Sequence, residues 1–122
     1  MGTQELPVIR KTYDLVLWAC RHVGAFPRNH RFVLGERMER RLYDLLETLL
    51  QARYTKDRQP QLRQANLTLE VLRCQMRLAH DLQCLRTHSY GSGCRALQEM
   101  VGVVPGAGAA RHGVPHRSAV SF

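Results

Sequence analysis

Apolar residues return every three or four positions along most of the chain, a spacing that is typical of α-helices. The first such stretch predicts a helix over residues 7–25, begun by Pro7 and ended ahead of Pro27. Tyr13 and Trp18 lie within this wide apolar stripe, so we interpret them as core residues rather than as platforms for nucleotide bases. The main positions of the stripe are Ile9, Tyr13, Val16, Leu17, Cys20 and Val23.

Residues 35–54 predict a second helix that has one apolar and one charged face. Along this helix four arginines are balanced by four acidic residues, and pairs such as Glu36–Arg40 and Arg40–Asp44 stand four positions apart. We therefore interpret this face as a solvated, self-neutralised surface. Arg53 lies at the edge of the apolar face and is expected to be half-buried and paired. The apolar face consists of Met38, Leu42, Leu45, Leu46, Leu49 and Ala52.

A third helix is predicted over residues 61–86, after a turn at 55–60, and it carries two apolar stripes. The first stripe has the three–four spacing of a core-facing helix and comprises Leu62, Ala65, Leu69, Leu72, Met76 and Ala79. The second stripe lies on a different face and comprises Leu67, Val71, Cys74, Leu78, Leu82 and Leu85. One stripe is enough for the core of a single chain. The second predicts either a central position in a bundle or a contact between copies of the chain.

The pattern weakens after residue 86, where Gly91 and Gly93 interrupt it before a short fourth helix that is predicted from Cys94 onward. The final stretch is rich in Gly, Ala and Pro and has no period. The predicted fold is therefore an all-α, antiparallel four-helix bundle over residues 1–104, with a C-terminal tail over residues 105–122.

Charge adds a functional expectation to this fold. The chain of 122 residues has a net charge of +8 and a pI near 10.0, which favours a polyanionic partner, although a generally basic soluble surface would look the same. The least neutralised cationic site is the connection FPRNHRF, residues 26–32, where no acidic residue offsets two arginines. Basic residues without an obvious carboxylate neighbour are the predicted nucleic-acid contacts: Arg10, Lys11, Arg28, His30, Arg31, Lys56, Arg58, Arg63, Arg73 and Arg77.

Motifs for catalysis are absent from the sequence, which contains no phosphate-binding loop, dinucleotide fingerprint, HExxH or GxSxG motif. His80, Cys84 and His88 stand four positions apart, as metal ligands could, but we interpret them as the polar face of a helix end and predict neither metal nor cofactor. The chain also lacks a CxxC pair, a secretory signal and an apolar run long enough to cross a membrane. A cytoplasmic, non-catalytic binding protein is the resulting expectation.

Three stretches of the sequence resemble a known family, the accessory variability determinant (Avd) proteins of diversity-generating retroelements. These stretches are ELPVIRKTYDLVLW, FPRNHRFVLGERMERRLYDLLETLLQARY and QLRQANLTLEVLRCQMRLAHDL, and together they cover about residues 5–90. The pattern FPRxHRFxLGER is the most specific part of the resemblance. The chain departs from the family in the GSG at residues 91–93, where a longer, steadier helix is usual.

The resemblance implies that four-helix protomers assemble into a basic, ring-shaped homopentamer. It further implies binding to the retroelement reverse transcriptase and its template RNA, in support of mutagenic cDNA synthesis that the protein does not catalyse. The predicted cationic contacts would then face RNA or the reverse transcriptase. Within the connection, Phe26 and Phe32 are expected to anchor the chain on the bundle while Arg28, His30 and Arg31 face outward. Arg28 and Arg31 would equally suit the C-terminal end of the first helix, where cations complement the helix dipole.

The alternative function is a homo-oligomeric helical adaptor that binds only protein partners. A third hypothesis is an enzyme that uses Cys84 and its flanking histidines.

Overall fold

The computed structural model describes residues 7–103, which form four long helices and contain no β-strand. A short helix, Arg28–His30, and a π-helical turn, Arg31–Gly35, lead into the second long helix. We call these two elements together the junction segment. The long helices are α1 (Pro7–Val23), α2 (Glu36–Arg53), α3 (Gln59–Asp81) and α4 (Thr87–Val103).

The four helices pack as an antiparallel bundle in which each helix contacts its neighbours in sequence. In addition, α4 packs against α1, so the bundle is closed and α1 and α3 occupy diagonal corners. Short connections between consecutive helices enforce this up-and-down order. The all-helical bundle agrees with the predicted fold class.

The core confirms the predicted stripes of α2 and α3. All six residues of the first α3 stripe are buried, and five of the six predicted for α2 are buried, with Leu46 packed half-buried against them. α4 contributes three further buried hydrophobic side chains, Leu97, Met100 and Val101. Trp18 packs half-buried against this core, but Tyr13 is 51% exposed, so its assignment to the core was wrong.

The fourth helix begins earlier than predicted and is not interrupted by its glycines. It runs from Thr87 to Val103 through both Gly91 and Gly93. A Cβ atom at Gly93 would lie 2.9 Å from the Trp18 indole and 3.0 Å from the Met76 sulfur. Glycine at this position therefore lets α4 approach the core closely, a role that the local sequence pattern cannot distinguish from a helix break.

The predicted loop between the first two helices is mostly helical. Only residues 24–27 are non-helical, and from Arg28 onward the chain is wound continuously into α2. The backbone N–H of Glu36 donates to the carbonyl of Arg31, five residues earlier, as in a π-helix. Phe26 is buried as predicted, at 2% exposure, but Phe32 is 61% exposed, so its predicted anchoring role was wrong. Phe32 instead lies on the outer side of the wound segment.

The bounds of α3 also differ from the prediction. It begins at Gln59, because Pro60 is accommodated in the first turn rather than ending the preceding connection. It ends at Asp81, ahead of Gln83, whose φ of 65° lies in the left-handed region. Because α3 stops there, His80, Cys84 and His88 do not share a helix face; the His80 ring stacks on Tyr90 with centroids 4.4 Å apart. The predicted tail, residues 105–122, lies outside the described residues.

Candidate nucleic-acid interface

The antiparallel connections separate eight of the ten predicted contacts into two groups, while Arg73 and Arg77 lie along α3. The junction segment and the α3–α4 connection lie at one end of the bundle, which carries Arg28, His30 and Arg31. The α2–α3 connection and the start of α1 lie at the other end, with the second group: Arg10, Lys11, Lys56, Arg58 and Arg63. Helices of 17 and 18 residues separate these ends, a distance of roughly 25 Å at about 1.5 Å per residue. The predicted set is therefore not one continuous patch.

Four cations that were predicted to lack a carboxylate partner form ion pairs. The closest pair joins Lys11 Nζ to Glu99 Oε1 at 3.0 Å and links α1 to α4. The others are local and longer: Arg73–Glu70 at 3.6 Å, Arg77–Asp81 at 3.9 Å and Arg10–Asp14 at 4.0 Å. All are exposed or half-exposed, so each contributes little stability and a phosphate group can compete for the cation.

Three arginines of α2, Arg37, Arg40 and Arg41, show the reverse of the prediction. Neither Glu36–Arg40 nor Arg40–Asp44 comes within ion-pair distance, and across residues 7–103 no ion pair of Arg37, Arg40 or Arg41 is formed. The Nε atom of Arg41 is covered and has no hydrogen-bond acceptor. The ion pairs predicted for this face are therefore not formed, although its acidic and basic residues still balance in number. Arg53 is half-buried, as predicted, and its guanidinium lies 5.5 Å from the Tyr54 ring centroid.

Arg37, Arg40 and Arg41 line a surface groove of about 520 Å³ that begins at the junction segment. Phe32 and Val33, 61% and 62% exposed, form its apolar end. We call it the arginine groove; its lining residues are Phe32, Val33, Glu36, Arg37, Arg40, Arg41 and Asp44. Arg31 adjoins the groove, with its guanidinium carbon 5.9 Å from the centroid of the Phe32 ring.

The groove residues were not predicted as contacts, although one signal was available. Spacing alone suggested that each arginine of α2 had an acidic partner, but spacing does not fix side-chain conformations. The useful signal was the pair of adjacent apolar residues, Phe32 and Val33, directly beside four arginines in the sequence RFVLGERMERR. An apolar pair that the core does not need marks a surface for contact.

Two apolar faces are also exposed on the bundle. The first, which we call the α1–α2 seam, comprises Tyr13, Leu17, Tyr43 and Leu50, and is joined by a 3.4 Å contact between Cys20 Sγ and Tyr43 Oη. The second, the outer face of α3, comprises Leu67, Cys74, Leu78 and Leu82 from the predicted second stripe. Leu85 departs from that stripe and is buried, because the chain turns inward after α3 ends.

Three thiol or phenol groups of the described residues have a raised pKa, which favours their neutral forms. Burial raises the pKa of the Cys84 thiol, which disfavours the thiolate that a nucleophile would need. A hydrogen bond with Cys20 is the main cause that raises the pKa of Tyr43, and a hydrogen bond with Cys94 acts likewise on the pKa of Tyr90. These shifts give no support to the hypothesis of a Cys84-dependent enzyme.

Comparison with known families decides the classification. The model of the bAvd-like family matches residues 7–109, a span that includes the junction segment and all four helices. The chain belongs to this family of accessory variability determinant proteins. Membership indicates an accessory, non-catalytic kind of protein associated with the machinery of a diversity-generating retroelement. No curated protein matches the chain. Among residues 7–103 of this bAvd-like protein, no helix is both long enough and apolar enough to cross a membrane.

Proposed function

We propose that this bAvd-like protein binds the reverse transcriptase and the template RNA of its retroelement and supports mutagenic cDNA synthesis without catalysing it. The proposal includes assembly into a ring-shaped homopentamer and a cytoplasmic location. Family membership supports the retroelement context, and the charge of the chain supports contact with RNA.

The observation that carries the RNA-binding part is a set of cations with no ion pair within residues 7–103. They lie at both ends of the bundle and comprise Arg28, Arg31, Lys56, Arg58 and Arg63. A phosphate reaches such a cation without displacing a carboxylate, and each contact releases counterions from the RNA. The paired cations Arg10, Lys11, Arg73 and Arg77 remain in the proposed surface as weaker contributors, because exposed ion pairs exchange readily. His30 lies between Arg28 and Arg31 and joins their group.

Salt-dependent binding of the template RNA tests this part. The full chain is titrated with labelled template RNA at several salt concentrations, and log K is expected to fall linearly with log salt. Replacing Arg28 and Arg31 together by alanine is expected to weaken binding and to reduce the slope by about 0.7–0.9 for each phosphate group that the variant no longer binds. If the template RNA does not bind while the reverse transcriptase does, the adaptor that binds only protein becomes the better description.

The two exposed apolar faces support self-association. A leucine side chain that moves from water into an interface contributes about 1.5–3 kcal/mol, so covering these faces favours an oligomer. Light scattering is expected to give about 70 kDa for five chains of 14.0 kDa. A monodisperse mass of one chain at micromolar concentration would contradict the assembly.

A further inference from the structure

The arginine groove has features that contact with phosphate groups alone does not require. Phosphate contacts need exposed cations, and Arg37 and Arg40 supply them without any ion pair in the described part of the chain. Phe32 and Val33, by contrast, expose apolar surface at the end of the groove and gain nothing from phosphate. An exposed aromatic ring beside unpaired arginines is the combination that proteins use to bind nucleic-acid strands with unpaired bases.

The π-helical turn is what places the aromatic ring in this position. Leu34 and Gly35 are buried in the turn, whereas Phe32 and Val33 face outward. Such turns are rare and are found frequently at functional sites. Arg31 covers one side of the Phe32 ring at 5.9 Å, and with 61% of the residue exposed there is room for a flat partner on the ring.

We propose that the arginine groove binds unpaired nucleotides of an RNA strand, with one base stacked on Phe32 and the adjoining phosphates on Arg37, Arg40 and Arg41. This inference rests on the proposed function, which supplies RNA as the partner, and adds the site and the mode of contact. A continuous duplex does not satisfy the site, because its bases are stacked on each other and present no free face. Glu36 and Asp44 at the groove walls supply acceptors for the amino groups of bases.

Stacking and phosphate binding leave different signatures in a binding measurement. Stacking releases no counterions, so removing the ring lowers affinity equally at all salt concentrations. Removing a cation that binds a phosphate lowers the salt slope, by about 0.7 for each phosphate on a single strand. Removing the platform for one stacked base weakens binding by roughly 5- to 100-fold.

The test measures fluorescence anisotropy of the full chain with an unstructured single-stranded RNA of about 20 nucleotides and with a duplex of the same length. Phe32→Ala and Phe32→Leu are each expected to weaken single-strand binding roughly 5- to 100-fold with an unchanged salt slope, and Phe32→Trp is expected to retain it. Arg40→Gln combined with Arg41→Gln is expected to lower the slope. The emission of a 2-aminopurine base in the single strand is expected to change when the wild type binds and to change less when Phe32→Ala binds, because the ring takes the base away from its neighbours in the strand.

The matched control is Tyr54→Ala. Tyr54 is also an exposed aromatic next to an arginine, with Arg53 5.5 Å from its ring, but it lies at the far end of α2 outside the groove. Its replacement is expected to leave single-strand binding unchanged. An equally large effect of Tyr54→Ala would overturn the assignment to this groove, because any exposed ring would then suffice.

Other outcomes separate this inference from the function on which it rests. If the wild type binds RNA and Phe32→Ala binds equally well, the stacking site is wrong while the proposed function stands. If the wild type binds neither RNA, both fail together. If Phe32→Ala changes the mass found by light scattering, or weakens duplex and single strand alike, Phe32 belongs to a protein contact and the proposal is overturned.

Discussion

At the residue scale, the end of α3 depends on one residue, Gln83, whose backbone conformation is unfavourable for a residue other than glycine. Gln83 has a φ of 65°, a region that non-glycine residues adopt at a cost. Its N–H donates to the His80 carbonyl at 2.9 Å, and the Cys84 N–H donates to the Ala79 carbonyl at 2.7 Å. These two bonds form a Schellman motif, in which the left-handed position is usually glycine. The hydrogen bonds of the cap are therefore complete, but the backbone of Gln83 is strained because a glycine is not present at this position.

Gln83→Gly is expected to raise the free energy of unfolding by about 0.5–1 kcal/mol. The left-handed conformation costs glycine nothing, and this gain outweighs the greater entropy of glycine in the unfolded chain. Urea denaturation measures the change, and Gln98→Gly in the middle of α4 is the control. Glycine at that helical position is expected to destabilise by about 0.5–1 kcal/mol. A decrease in the stability of Gln83→Gly would show that the Gln83 side chain itself supports the cap.

At the scale of elements, periodicity predicted the faces of helices better than it predicted their ends. The stripe from Leu62 to Ala79 is buried as predicted, because a period of 3.6 residues directly determines which positions share a face. The ends depend on contacts that are distant in sequence. Gly93 was interpreted as a helix break because the residue that it packs against, Trp18, lies on another helix. The ion pair between Lys11 and Glu99 was missed in the same way, because the two residues lie on different helices and far apart in sequence.

The candidate site was predicted only in part, for a related physical reason. The junction segment was identified by its charge, but its winding into a π-helical turn was not foreseen, and so Phe32 was assigned to the core side. The arginines of α2 were set aside because their spacing allows ion pairs. Spacing permits such a pair without securing it, since an exposed pair gains too little free energy to hold two long side chains in place.

The two glycines of α4 provide a matched pair of substitutions. Gly93→Ala places a methyl group 2.9 Å from the Trp18 indole, which must shift, whereas the nearest atom to a Cβ at Gly91 is Arg95 Nη1 at 3.8 Å. Overpacking costs about 1–3 kcal/mol, and replacing a helical glycine by alanine gains about 1 kcal/mol.

Gly91→Ala is therefore expected to stabilise the chain, and Gly93→Ala is expected to be about 1–3 kcal/mol less stable than Gly91→Ala. Thermal and urea denaturation of the two variants measure this difference. Equal stabilisation by both variants would mean that the indole moves aside without cost and that Gly93 is not required for the approach of α4.

At the scale of the whole molecule, the two exposed apolar faces differ from each other in shape and composition. The α1–α2 seam is built from two helices and carries two tyrosines, whereas the outer face of α3 is a single row of leucines around Cys74. Unlike faces that contact each other join copies head to tail, and such contacts close into rings when the rotation between copies allows it. The faces are therefore expected to meet each other rather than their own copies.

Two doubly substituted chains test this arrangement. Tyr13→Lys with Leu50→Lys disables the seam, and Leu67→Lys with Leu78→Lys disables the outer face of α3; all four positions are exposed, so each chain is expected to fold. Each variant alone is expected to be monomeric, because a head-to-tail contact needs one intact face of each kind. Gln98→Lys, which adds a lysine to α4 at an exposed position, is expected to retain the assembly.

Mixing the two variants gives the decisive result. The intact outer face of α3 on one variant can then contact the intact seam on the other, so light scattering is expected to give a dimer of two 14.0 kDa chains, about 28 kDa. The dimer cannot grow further, because its remaining two faces are both disabled. If either variant alone forms a dimer, its remaining face pairs with its own copy and the association is two-fold rather than head to tail. If both variants assemble like the wild type, the copies meet through other surfaces, and the apolar faces are then free to receive a different protein, which is what the adaptor alternative requires.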